Sequence, residues 1–263
     1  MSSTQVVKAI QIHGKPLAEG RMPIIITPLV GATRAAIVDE VAAIVPKNPD
    51  LLEWRIDFFA AIGDSAAVIA TAQAIRAAAG GIPVLLTRRN VSEGGTPIAI
   101  DEAAVVAMYS AACAARCVEM IDYELSNPAV HLEQLRKVSA ANDISMIMSY
   151  HNFALTPDAA TLDSKFSAAQ RLGADVAKVA VMPKTPPDVL TLLAATDRAS
   201  QALGIPLISM SMGGIGSLSR IVGWIYGSAA TFAVGKSSSA PGQIAIEELR
   251  SVLATVRQAV NGA

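Results

Sequence analysis

Several segments of this chain carry reactive or charged side chains where an apolar run would otherwise continue. Lys178 lies in Ala174-Asp175-Val176-Ala177-Lys178-Val179-Ala180-Val181-Met182-Pro183, which reads as a buried β-strand. A buried ammonium is costly unless it is paired or gives up its proton. The free amine is a nucleophile that forms a Schiff base with a carbonyl. The same pattern also fits an edge strand, or a lysine that snorkels its ammonium to water. Ser149-Tyr150-His151-Asn152-Phe153 places a histidine directly at the end of another run, which neither His13 nor His131 does. Imidazole can both take and give a proton near neutral pH, although a histidine there can also be structural. If the runs are adjacent strands, about 4.8 Å apart, His151 and Lys178 can flank one small substrate.

Other segments supply charge. In Glu53-Trp54-Arg55-Ile56-Asp57, strand alternation puts Glu53, Arg55 and Asp57 on one side. These three either satisfy one another or meet a polar ligand. Thr87-Arg88-Arg89-Asn90-Val91-Ser92-Glu93-Gly94-Gly95 is either a clamp for an anion or hydroxyls, or a solvated loop. Ser209-Met210-Ser211-Met212-Gly213-Gly214-Ile215-Gly216 runs into Ser217-Leu218-Ser219-Arg220 as a glycine-rich loop opening a helix. Helix starts suit anions, and Arg220 adds a two-pronged donor for a carboxylate or phosphate. Lys236-Ser237-Ser238-Ser239-Ala240-Pro241-Gly242-Gln243 is a small-residue loop able to close over a site. No His, Asp or Glu cluster has metal-ligand spacing, so no metal is expected.

The elements that position these residues follow from the apolar pattern. Short runs at 24–29, 50–56, 82–87, 118–125, 144–149, 176–181, 205–211 and 229–234 predict buried parallel strands. Between them lie segments rich in Ala, Leu, Glu and Gln, among them 65–79, 101–114, 130–140, 158–171 and 186–203. Thr156-Pro157-Asp158 and Thr185-Pro186-Pro187-Asp188 are helix starts, with proline where its missing N–H costs nothing. Eight strands alternating with about eight helices predict an α/β chain folded as a (β/α)₈ TIM barrel, with chemistry at the C-terminal strand ends. A doubly wound sheet is the alternative, but Pro28-Leu29-Val30-Gly31-Ala32-Thr33 lacks the glycine spacing of a dinucleotide turn. No linker interrupts residues 1–263, which are expected to form one catalytic domain. Residues 6–22, with His13-Gly14 at their centre, predict a short hairpin capping the barrel bottom.

Bulk properties narrow the class of function. The chain has 263 residues, 52% of them hydrophobic, and a net charge of −1. That balance argues against a nucleic-acid binder. Ala199–Ser219 is long and uncharged enough for a membrane span, but its glycines, serines and Pro206 argue against one. Residues 1–20 hold no export signal, so a cytoplasmic setting is expected. Cys113 and Cys117 read as buried, reduced thiols.

Taken in order, these segments resemble the type I 3-dehydroquinate dehydratases of the shikimate pathway. The resemblance runs from the first strand to the last helix. It is carried by Glu53-Trp54-Arg55-Ile56-Asp57, Glu93-Gly94-Gly95, Asp122-Tyr123-Glu124-Leu125 and Ser149-Tyr150-His151-Asn152. It continues in Lys178-Val179-Ala180-Val181-Met182-Pro183, Ser209-Met210-Ser211-Met212 with Ser219-Arg220, and Ser239-Ala240-Pro241-Gly242-Gln243. Tyr123 departs from it, standing where an aliphatic residue is expected. The resemblance implies conversion of 3-dehydroquinate to 3-dehydroshikimate by a homodimer that needs no cofactor. It implies Lys178 as the Schiff-base lysine, His151 as general acid and base, and Glu93 as the carboxylate that tunes that histidine. Glu53, Arg55 and Arg89 would contact ring hydroxyls or their surroundings, and Arg220 the substrate carboxylate. Ser239 and Gln243 would belong to the closing loop, and Met210 and Met212 to the apolar wall beside the ring.

This chemistry needs a free amine. Burial among Val176, Val179 and Val181 is expected to favour it, helped by His151 or Arg220 if protonated. Glu93 is expected to pull His151 toward imidazolium, which predicts a near-neutral pH optimum belonging to the coupled group. A class I aldolase or transaldolase, with Gly213–Gly216 holding a phosphate, is the competing enzyme. A barrel that only binds a carboxylate metabolite is the non-enzymatic alternative.

Overall fold

The computed structural model describes residues 7–18 and 22–261. Two short strands come first, β1 (Gln11–Ile12) and β2 (Lys15–Pro16), paired antiparallel around His13 and Gly14. Both turn residues have positive φ, 50° and 68°, the twist that suits a two-residue hairpin. The chain then alternates: β3 (Ile24–Leu29), α1 (Arg34–Ile44), β4 (Leu51–Arg55), α2 (Ser65–Ala78), β5 (Val84–Thr87), α3 (Glu102–Ala114), β6 (Met120–Glu124) and α4 (Ala129–Ala141). It continues with β7 (Ser145–Asn152), α5 (Ala159–Arg171), β8 (Val176–Val181), α6 (Pro186–Ala202), β9 (Leu207–Ser211), α7 (Gly213–Val222) and β10 (Ala230–Val234). A two-residue strand, β11 (Ile244–Ala245), and α8 (Ile246–Asn261) complete it.

The helices start where short polar side chains can take the free N–H groups. Asp64, Asp101 and Asp158 each accept from the first turn of α2, α3 and α5. Thr185 and Asp188 cap α6 reciprocally, behind prolines that fit its first turn.

Strands β3 to β9 pair in chain order and parallel, and β10 pairs with β3. A bridge from Leu207 to Ser228 and a bond from the Ala229 N–H to the Leu207 carbonyl, 2.6 Å, close the ring between β9 and β10. This sequential order is that of a barrel and not of a doubly wound sheet. Strand alternation sorts the core into two layers. Leu52, Trp54, Leu86, Ile121, Val179 and Val181 face the helices. Leu51, Leu85, Met120, Ile147, Val176 and Ile208 face inward and floor the barrel.

Val7 and Ile10 join that floor, and the hairpin is held to β7 by the Ser145 hydroxyl, which donates to the Gln11 carbonyl at 2.9 Å. The hairpin therefore caps the barrel bottom. Part of the expected 6–22 segment, Val6 and residues 19–21, lies outside the described residues. Cys113 and Cys117 are buried free thiols, and burial pushes them up to about 12 and about 11. Among the described residues no helix is long and apolar enough to cross a membrane.

Candidate active site

Above the apolar floor the inward positions become polar. Glu53, Thr87, Asp122, Ser149 and Lys178 occupy the next level, and Arg55, Arg89, Glu124 and His151 the one above it. They surround a narrow cleft of about 40 Å³ at the C-terminal strand ends. Lys178 is 3% exposed and sits on β8, flanked by β7 and β9. It is thus neither on an edge strand nor snorkelling to solvent. Ser149 pairs with Lys178 and His151 with Ala180, so His151 stands one inward step above the amine on the neighbouring strand. Strand β7 runs to Asn152, three residues beyond the expected end, which places His151 within a strand.

The surroundings of Lys178 differ from the expected valine sleeve. Val179 and Val181 point to the helix layer, because residues adjacent to an inward side chain face outward. Instead the Nζ donates to Asp122 Oδ2 at 2.8 Å and lies 3.5 Å from Glu53 Oε1, above the Phe232 ring at 4.7 Å. Asp122 also receives the Ser149 hydroxyl at 2.5 Å and pairs with Arg89 at 2.9 Å. Burial alone would raise this carboxyl, but Arg89 and Lys178 outweigh it and hold it far below the usual carboxylate range. Arg89 continues the network to Glu124 at 2.9 Å. Burial disfavours its charge, yet Asp122 and Glu124 reverse the balance and raise it. Arg55 forms a two-pronged pair with Asp57 at 2.9 and 2.8 Å. The cation-rich segments are therefore an ion-pair network and not a solvated loop.

His151 and Glu93 form a second unit. Glu93 Oε2 accepts the His151 backbone N–H at 2.8 Å and faces Nδ1 at 2.9 Å, while Ser126 donates to Oε1 at 2.7 Å. Burial pushes Glu93 up to about 7, opposed by the Ser126 hydroxyl and Arg89. Burial, then Arg89 and Lys178, hold His151 well below the usual imidazole range. The expected pull toward imidazolium is overridden by burial first, and then by these neighbouring cations. With Glu93 ionised, Nδ1 carries the proton toward it and the Nε2 lone pair is left to act as a base.

Arg220 is 2% exposed and, among the described residues, has no carboxylate partner. Its Nη2 donates to the Pro241 carbonyl at 3.1 Å, Nη1 lies 3.6 Å from Met210 Sδ, and Nε has no partner. Burial brings its pKa down to about 10. Arg220 stands behind the cleft wall, which Met210, Met212 and Phe232 form together with Ser239 and Gln243 of the closing loop. That loop is down. Arg55 donates to the Ser239 carbonyl at 3.4 Å, and the Gly213 N–H donates to the Pro241 carbonyl at 3.1 Å. The glycine-rich helix start thus binds the loop, which weakens the phosphate pocket that an aldolase would need.

The cleft gathers Lys178, His151, Glu93, Glu53, Arg55, Arg89, Met210, Met212, Ser239 and Gln243, and places Arg220 against Met210. Beyond these, Asp122, Glu124, Ser126, Phe153 and Phe232 belong to the site or its support. Asp122 and Glu124 carried the same signal as Lys178, alternate charges in an apolar run. Phe153 lies over Gly94, where a Cβ would come within 2.3 Å of its ring. No local sequence pattern announces that contact.

The family model described as type I 3-dehydroquinase matches residues 25–259. The 3-dehydroquinate dehydratase of Albidiferax ferrireducens is 55% identical, covering 97% of both chains. The crystal structure of 3-dehydroquinate dehydratase from Geobacillus kaustophilus superposes with a TM-score of 0.92 at 45% identity, over 95% of this chain and 97% of that one. A type I 3-dehydroquinate dehydratase structure from Clostridium difficile, with covalent modified comenic acid, gives 0.91 at 34% identity, over 96% and 99%.

Proposed function

This chain belongs to the type I 3-dehydroquinase family, and on that footing we propose that it works through an imine on Lys178, with His151 as proton carrier. The overall reaction, dehydration of 3-dehydroquinate, is that of a carbon–oxygen lyase. The observation that carries the mechanism is a buried lysine with a buried histidine one step above it in the same cleft.

The Lys178 amine, after giving up a proton, attacks the ketone carbon. Loss of water from the carbinolamine leaves an iminium. His151 Nε2 then removes a proton from the carbon next to the iminium. The C–H electron pair moves into the ring and forms a neutral enamine. The enamine pushes out the hydroxyl one carbon further on, and the His151 imidazolium protonates it so that it leaves as water. Hydrolysis of the remaining conjugated iminium releases 3-dehydroshikimate and restores the amine. Glu93 holds the histidine tautomer and stabilises the transient imidazolium. In this reading the substrate carboxylate goes to Arg220, reached past Met210, and the ring hydroxyls to Glu53, Arg55 and Arg89; the buried guanidinium with no acidic partner among the described residues supports the first of these roles. The covalent modified comenic acid of the Clostridium difficile relative fits a site that bonds to its ligand.

Borohydride added during turnover should reduce the iminium and leave a stable adduct on Lys178, located by peptide mass spectrometry. His151→Ala should still form the adduct while dehydration largely stops. Adduct on another residue, or full turnover without His151, overturns this assignment.

A further inference from the structure

Behind the site, in the helix layer, Tyr109 of α3 is fully buried between the ends of β5 and β6. Its hydroxyl accepts the Arg88 N–H at 2.6 Å and donates to the Asp122 carbonyl at 2.8 Å. The register makes this contact informative. Thr87 is paired with Asp122, so the next ladder bond of a parallel pair would run from the Arg88 N–H straight to the Asp122 carbonyl. That direct bond is absent, and a phenol oxygen occupies its place. The Tyr109 hydroxyl thus relays the Arg88 N–H to the Asp122 carbonyl at the strand ends, where the inward side chains become functional. On the inner side, the Arg89 guanidinium bridges Asp122 and Glu124. Asp122 in turn holds the Lys178 ammonium.

We infer that Tyr109 is a positioning residue, a hydroxyl wedge in the β5–β6 ladder that sets where Arg89 and Asp122 stand relative to Lys178. This rests on the reading of Lys178 as the imine-forming lysine. The hydroxyl both donates its proton and accepts an N–H here, so phenylalanine cannot replace it. Without the oxygen, the Arg88 N–H and the Asp122 carbonyl either close directly, drawing the strand ends together, or stay apart and unpaired. Either outcome moves or loosens the Asp122 carboxylate. The Arg220 side of the cleft, on α7 across the barrel, is unaffected.

The test compares Tyr109→Phe with Tyr123→Phe. Tyr123 packs edge-on against Tyr109, ring centres 5.8 Å apart, and its hydroxyl reaches only Glu102 at 2.5 Å, so it controls for disturbance of the outer layer. Well below both melting temperatures, Tyr109→Phe should lower kcat about tenfold to a hundredfold, the scale of a misplaced catalytic group. Its KM should change less than about threefold, and trapping of the Lys178 adduct should slow in parallel with kcat. Tyr123→Phe should keep kcat within about twofold. Incorporation of 4-aminophenylalanine at 109, which restores the donor to the Asp122 carbonyl but only a weak acceptor for the Arg88 N–H, should recover part of the loss, to within about tenfold of wild type. Equal kcat for Tyr109→Phe and wild type, or equal losses in both tyrosine variants, overturns the wedge. If Tyr109→Phe does not fold, the amino variant decides: folded but more than tenfold impaired, it also overturns the wedge. Failure to trap any adduct on Lys178 in the wild-type enzyme would instead refute the imine reading, which keeps the two failures distinct.

Discussion

Replacing Arg220 by glutamine should weaken catalysis without weakening the fold. Arg220 is nearly fully buried, and among the described residues it has no acidic partner and one guanidinium nitrogen makes no hydrogen bond. Burial lowers its pKa from 12.5 to about 10, which at about 1.4 kcal/mol per tenfold is an unfavourable term of about 3 kcal/mol in the empty enzyme. Glutamine removes that term. It also removes the bond to the Pro241 carbonyl and some packing against Met210, worth about 1 kcal/mol each. The net change in stability is therefore close to zero or about 1 kcal/mol favourable, and Tm should hold or rise by a few degrees. The substrate carboxylate would lose its charged donor, and breaking one side of such a pair costs roughly 2–5 kcal/mol. Taking about 3 kcal/mol, kcat/KM falls about 150-fold, read from the absorbance of the conjugated product. Excess substrate or product should raise Tm of the wild type and leave that of Arg220→Gln nearly unchanged. A Tm drop of more than about 5 °C, or a loss in kcat/KM below about fivefold, would refute the view of Arg220 as a cation kept unpaired for its ligand.

The His151–Glu93 pair gives a pH prediction with a definite sign. Glu93 titrates at about 7 in the folded protein against 4.5 as its ordinary value, so kcat should rise through about pH 7 as the carboxylate forms. The same shift means the folded state holds that proton more tightly than the unfolded chain. The resulting destabilisation is absent below pH 4.5 and reaches about 3 kcal/mol above 7. Glu93→Gln should remove the acid limb of the kcat profile and flatten stability across that window, as followed by denaturant melts at several pH values. Gly242 has φ +76°, and a Cβ there would lie 2.2 Å from the Gly213 carbonyl oxygen. Gly242→Ala should keep the loop from closing and lower kcat/KM by roughly tenfold or more, the scale of 1–3 kcal/mol of backbone strain, with Tm within about 2 °C of wild type.

The barrel was legible because parallel strands buried on both faces leave continuous apolar runs. The strands at 24–29 and 176–181 coincide with their expected bounds. What a run does not reveal is which face each residue takes until its register is fixed. Arg88 and Arg89 are adjacent and identical in type, yet Arg88 turns outward to Glu102 and Arg89 inward to Asp122 and Glu124. Val179 and Val181 follow closely after Lys178 in sequence and face away from it in space. Tyr123, which stands where an aliphatic residue was expected, faces outward too, which is why an aromatic ring is accommodated beside two inward acids. The end of β7 was missed because it depends on β8: Asn152 is held in the strand by pairing with Val181.

The charges inside the cleft separate into those that hold the site and those that act. Arg55 with Asp57, Arg89 with Glu124, and Lys178 with Asp122 are paired at hydrogen-bond distance. Such buried pairs contribute little net stability, because desolvation offsets attraction, but they resist displacement since breaking one strands a charge. They fix the cleft walls before substrate arrives. Two charged groups are left without an opposite Lys, Arg, Asp or Glu at ion-pair distance among the described residues, Arg220 and the Glu93 carboxylate beside His151. In the proposed mechanism the reaction brings a carboxylate to the first and a transient imidazolium to the second. Each unpaired charge would then be relieved at a different moment, Arg220 on binding and Glu93 when His151 takes the proton. Interactions of the second kind lower the barrier, because they are made only as charge develops. Those of the first kind set affinity. The prediction for Arg220→Gln therefore falls on kcat/KM and ligand-induced stability, and the prediction for Glu93→Gln on kcat and its pH dependence.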